Sequence, residues 1–118
     1  MSKLFKDLTI KDAFMFAAVM SDPEQCRHLL QIILEMDILE VQVDTEKSMS
    51  YHPEYHGIRL DVLASEKGST RRFNIEMQVK SQIDLPKRSR YYHSQLDMDA
   101  LLTGKRHAQL PDTFIIFI

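Results

Sequence analysis

A single cysteine, Cys26, stands in a chain of 118 residues, and that scarcity excludes an intrachain disulfide. A reducing compartment, the cytoplasm, is the expected location. No apolar run approaches the roughly 20 residues that cross a bilayer as a helix, so no membrane partner is expected. The opening MSKLFKDLTIKD is too polar for the hydrophobic region of a secretory signal. Positive charge is not in surplus either: 15 Lys and Arg stand against 17 Asp and Glu, for a net charge of −2. That balance excludes a uniformly basic nucleic-acid coat and leaves only local clusters: Arg71 with Arg72, Lys87 with Arg88 and Arg90, and Lys105 with Arg106. Internal repeats, low-complexity tracts and linkers are absent too. Residues 1–118 therefore read as one domain with a modest core.

What is present is a change of period along the chain. A first helix is expected from Thr9, with Asp12 three residues on as in a capping box, to about Met20. Asp22-Pro23 restarts a helix, with Asp22 as its cap, Pro23 at the first helical position and Gln25 at the capping-box site. Cys26, Leu29, Leu30, Ile33 and Leu34 then form one apolar stripe on a helix ending near Met36, which makes Cys26 a packed core residue. From Leu39 the pattern alternates. Leu39, Val41 and Val43 interleave with Glu40, Gln42 and Asp44, as in a strand with one wet face. Thr45 to Gly57 is polar; His52 and His56 lie four apart there, but Pro53 between them argues against a helix and for loop histidines.

Two further strands, Ile58 to Ser65 and Arg72 to Lys80, flank the turn-like Glu66-Lys67-Gly68-Ser69-Thr70. Leu60, Val62 and Ala64 point one way and Arg59, Asp61 and Leu63 the other. In the returning strand Phe73, Ile75, Met77 and Val79 oppose Asn74, Glu76, Gln78 and Lys80. Pro86 opens a third helix, about Lys87 to Thr103, closed near Gly104. The last run, Thr113 to Ile118, is apolar on both faces, as a central buried strand is. A chain seldom stops on such a strand, so the domain is expected to be the N-terminal part of a longer protein.

Four polar side chains on one face of a strand have an ordinary explanation, a face that meets water. They also have a chemical one. The short hairpin can bring Asp61 onto the same face as Glu76, and two neighbouring carboxylates cost stability unless a cation or other partner offsets them. Magnesium is commonly held by one or two carboxylates with waters and phosphate oxygens.

Three stretches carry a resemblance: Gly57-Ile58-Arg59-Leu60-Asp61-Val62, Phe73-Asn74-Ile75-Glu76-Met77-Gln78, and Leu85-Pro86-Lys87-Arg88-Ser89-Arg90-Tyr91-Tyr92-His93-Ser94-Gln95-Leu96-Asp97. Together, in this order, they resemble the PD-(D/E)XK nuclease family transposases, also called recombination-promoting nucleases. The likeness extends to Thr9-Ile10-Lys11-Asp12-Ala13-Phe14 and Leu110-Pro111-Asp112-Thr113-Phe114-Ile115. It implies an α/β fold with a restriction-endonuclease-like core, a mixed β-sheet flanked by helices in the order α-α-β-β-β-α-β.

The resemblance implies a metal-dependent endodeoxyribonuclease linked to transposition or recombination. Asp61 and Glu76 would be catalytic and metal ligands, with a backbone carbonyl near Met77 beside them. Mg2+ is the expected cofactor and Mn2+ its substitute. The motif lysine falls on Gln78, a departure that exchanges an ammonium for an amide able only to hydrogen-bond. Lys80, two residues on along the same strand face, is expected to supply part of that charge, so Gln78 and Lys80 join the catalytic set. Lys87, Arg88, Arg90, Tyr92 and Gln95, at the start of the third helix, are the candidate DNA contacts, suited by backbone N–H groups and cations at a helix N-terminus. Asp12 is an N-terminal helix charge that could also reach the metal. DNA is the expected partner and a second copy of the chain a further one. Two other functions fit the same residues: an inactive relative used for DNA binding or dimerisation, and an RNA-directed nuclease or binding module.

Overall fold

The computed structural model describes residues 10–49, 58–77 and 84–118, with the side chains at 10–14, 46–49 and 58–60 outside that description. Its elements follow the expected order. Helix α1 spans Ile10–Met20 and α2 Pro23–Leu34; strands β1, β2 and β3 span Val41–Met49, Ile58–Glu66 and Arg72–Glu76. Helix α3 (Leu85–Leu102), a 3-10 turn (His107–Gln109) and strand β4 (Thr113–Phe117) complete the chain. Thr9, the expected cap of α1, lies outside the described residues.

The cap of α2 forms as its sequence dictates. Asp22 holds an extended backbone and its Oδ1 accepts from the Glu24 N–H at 2.9 Å, with Pro23 in the first turn. An Asp22→Ala substitution should cost about 1 kcal/mol, seen as a fall of a few degrees in Tm. The helix stops two residues before the expected Met36. Glu35 enters the left-handed region at φ 51°, and its N–H returns to the Gln31 carbonyl at 3.0 Å. This turn lets Ile38 drop into the core, where it is 3% exposed. Leu39, expected to open β1, is instead exposed, and its N–H is taken by the Glu66 carboxylate at 2.6 Å rather than by a strand partner.

The sheet runs β1-β2-β3-β4. The first three strands are antiparallel, and β4 lies parallel to β3. A parallel neighbour requires a long return connection, which α3 provides. Alternation assigns the faces as the sequence indicates. Val41, Val62, Ala64, Phe73 and Ile75 pack with Met20, Cys26 and Leu30 on the α1–α2 side. Burial pushes the Cys26 thiol up to about 11, which leaves it an inert core group.

The opposite face is not wet. Leu63 packs there with Tyr92 and Leu96 of α3, and Asn74 and Glu76 are both buried. A helix on each side makes this a three-layer α/β domain. The apolar β4 is satisfied in the same way, with Phe114 and Ile116 on the α1–α2 core and Ile115 on the α3 side. It is not central, however. It ends the order of described strands, and its residues are half-buried.

Candidate functional site

Register brings the two acids together. Val62 pairs with Ile75, which sets Asp61 opposite Glu76 one step further along the hairpin. Each carboxylate then closes on the other residue's strand. Glu76 Oε2 accepts from the Asp61 N–H at 2.8 Å, and Asp61 Oδ2 accepts from the Met77 N–H at 3.3 Å. Glu76 is 3% exposed, whereas Asp61 is half-buried. The pair therefore has a dry side formed by Glu76 and an accessible side formed by Asp61.

Burial raises the Glu76 carboxyl to about 7. The Asp61 backbone N–H pulls it down, the Asp61 charge pushes it up, and Tyr92 and Arg88 pull it down again. A buried carboxyl facing a second carboxyl is the arrangement that a divalent cation relieves. The donors are hard oxygens, which suit magnesium or manganese. Among the described residues no cluster of three or more His, Cys, Asp or Glu is present. A cation here would thus be held by Asp61 and Glu76, with backbone carbonyl and water oxygens filling its other positions. That is a usual set for magnesium, which keeps several waters.

The candidate residues divide. Gln78 and Lys80 lie outside the described residues, as do His52, His56 and the side chain of Asp12. On the first turns of α3, Lys87 and Arg90 are exposed, as solvent-side phosphate contacts need to be. Arg88 and Tyr92 turn inward instead. Tyr92 is 8% exposed and its hydroxyl pulls the Glu76 carboxyl down, and Arg88 Nη2 donates to the Tyr92 hydroxyl at 2.9 Å. Gln95 is half-buried, and its Oε1 finds no hydrogen-bond partner among the described residues.

Sequence reasoning missed Asn74 and Phe117. Asn74, on the same strand face as Glu76, is fully buried, and neither polar atom of its amide finds a partner among the described residues. A buried orphan amide costs roughly 1–3 kcal/mol, a local inconsistency of the sort that accumulates at functional sites. The Phe117 ring lies 5.5 Å from the Arg88 guanidinium carbon and 6.4 Å from the Tyr92 ring. The inward turn of Arg88 had a sequence signal: Arg88, Tyr92, Leu96 and Ala100 recur every four residues, one helical face.

The arginines of the hairpin are committed elsewhere. Arg71 pairs with Glu66 and Arg72 with Asp99. A cleft of about 250 Å3 beside them, at the end of β3 away from Glu76, is lined by Ser65, Thr103 and Lys105 among others. Its two arginines are neutralised within the fold, so Arg71 and Arg72 do not form a free basic patch.

The family model described as PD-(D/E)XK nuclease family transposase matches residues 11–118. The chain belongs to this family. The match spans α1 through β4 and so includes both carboxylates, the hairpin between them and α3. The three helices and four-stranded mixed sheet of the described residues agree with the restriction-endonuclease-like architecture of PD-(D/E)XK nucleases. Comparison with curated proteins and with solved structures yields no match. No described helix is long and apolar enough to cross a membrane.

Proposed function

We propose that this PD-(D/E)XK domain is a magnesium-dependent endodeoxyribonuclease that hydrolyses DNA phosphodiester bonds in transposition or recombination. The observation that carries the proposal is the buried Glu76 carboxyl set across a hairpin from the accessible Asp61, with mutual backbone hydrogen bonds fixing both. Such a pair is preorganised to take a cation on its Asp61 side. When bound, a divalent ion supplies Lewis-acid polarisation of the phosphodiester and acidifies an attacking water.

The chain's own groups do the rest. Asp61 and Glu76 hold the charge in place. Lys87 and Arg90, exposed on the first turns of α3, draw and orient the sugar-phosphate backbone without reading sequence. Gln78 and Lys80, two and four positions beyond Glu76, supply a hydrogen bond and a charge to the water or to the developing negative oxygen.

The test is nicking of supercoiled plasmid by the purified chain with Mg2+ or Mn2+. Conversion to open-circular or linear DNA is expected, and Asp61→Ala should fall to the level seen with EDTA. Equal nicking by the Asp61→Ala protein would overturn the assignment. Binding of plasmid without any metal-dependent cleavage would mark a non-catalytic relative. A structured RNA cut in preference to DNA would reassign the substrate.

A further inference from the structure

The inner face of α3 does more than cover the sheet. Arg88 has the sequence position of a phosphate contact, yet its guanidinium carbon lies 5.4 Å from the Tyr92 ring centroid and 5.5 Å from that of Phe117. Its Nη2 donates to the Tyr92 hydroxyl at 2.9 Å. A guanidinium can only donate, so the phenol oxygen is the acceptor and its own proton remains for another partner. Glu76 lies next to that proton: its direct strand partner on β4 is Phe117, whose ring is 6.4 Å from that of Tyr92, and the Tyr92 hydroxyl pulls the Glu76 carboxyl down. Glu76 is thereby flanked from two elements, with the Asp61 N–H of β2 donating to Oε2 at 2.8 Å and the Tyr92 side chain of α3 packed beside its strand partner Phe117.

Resting on the nuclease reading above, we infer that Tyr92 and Arg88 are positioning residues that hold the Glu76 carboxylate in its metal-accepting orientation, and are not DNA contacts. Tyr92 can reach Glu76 because α3 packs over this sheet face through Leu63 and Leu96. Phe117 of β4 sits against both side chains, so Arg88 is held by an aromatic face as well as by the hydroxyl. Hydrogen-bonded groups of this kind fix the orientation of a ligand, and their loss typically costs 10–100-fold in metal affinity or activity.

Tyr92→Phe keeps the ring and deletes only the hydroxyl. Three measurements on the purified chain and this variant decide the matter: direct Mn2+ binding by calorimetry, Mn2+ dependence of plasmid nicking, and affinity for a DNA duplex in EDTA. Mn2+ binding should weaken roughly 10-fold or more, nicking should need correspondingly more Mn2+, and duplex affinity should stay within about twofold. Arg88→Met, which keeps the aliphatic stem, should give a smaller loss of the same kind, and it carries the test should Tyr92→Phe fail to fold. Unchanged Mn2+ binding by both variants overturns the positioning role alone, as does a loss confined to duplex affinity. A parent chain that binds no Mn2+ overturns the nuclease reading and this inference with it.

Discussion

A Glu76→Gln protein is expected to be more stable than its parent at pH 8.5 and to have lost metal-dependent DNA cleavage. The two effects share one cause. Glu76 is buried and its carboxyl is raised to about 7, with burial as the leading contribution. In the unfolded chain the same group ionises near pH 4.3. Between those values the folded state holds a proton that the unfolded state has released, so stability falls as pH rises. The contribution of the neutral carboxyl is full below the unfolded value and is lost by the time pH passes about 7. A tenfold difference in proton affinity between the two states is worth about 1.4 kcal/mol, which makes the alkaline deficit roughly 4 kcal/mol. Glutamine has nearly the same shape and never ionises, so it escapes that deficit.

Melts in EDTA at pH 5 and pH 8.5 check this. At pH 5, just above the unfolded value, the variant should lead by only a few degrees; at pH 8.5 it should lead by roughly 10–15 °C, given the few degrees per kcal/mol usual at this chain length. An equal difference at both pH values would show that the carboxyl ionises without penalty, which would remove the electrostatic case for a cation. Adding Mn2+ at pH 8.5 should raise the parent and leave the variant unmoved, because only a carboxylate can share the ion with Asp61. Stability gained and chemistry lost by one isosteric change is the signature of a group kept for function.

The carboxylate pair could be read in sequence because it depends on local rules alone. Period-two alternation and a short turn suffice to place Asp61 opposite Glu76. The same holds for α2, whose cap and apolar stripe lie within one segment. What could not be read was which face the helices would cover. Asn74 and Glu76 have the pattern of a solvated face, and only the docking of α3 makes them buried. Arg88 likewise has a composition that suits DNA, and its true neighbours come from β3 and β4. The position of β4 at the end of the described sheet was hidden for a related reason. An apolar strand can be covered by helices on both sides without a strand on each edge.

Arg71→Ala should destabilise the fold by roughly 3–5 kcal/mol. In sequence, Glu66 to Thr70 is an ordinary polar turn. In the fold Glu66 is 4% exposed, and its side chain gathers four donors: Arg71 Nε at 2.7 Å, Arg71 Nη2 at 2.8 Å, the Leu39 N–H at 2.6 Å and the Ser69 hydroxyl. Arg71 reaches further, donating from Nη2 to the Asp37 carbonyl at 3.0 Å. The pair thus ties the β2–β3 hairpin to the connection between α2 and β1. Removing the arginine leaves a buried carboxylate with its countercharge gone, which costs far more than the pair itself contributes. Glu66→Gln should cost less, since it removes the charge along with the need for compensation. The Arg71 hydrogen bonds hold the Glu66 carboxyl down at about 2. Its contribution is therefore full above the unfolded value near 4.3 and is lost as pH falls toward 2. Urea melts should then find the Arg71→Ala deficit largest at neutral pH and shrinking below pH 4. A deficit that stays constant down to pH 2.5 would mean that lost packing against Phe73, whose ring centroid lies 6.0 Å from the guanidinium carbon, outweighs the ion pair.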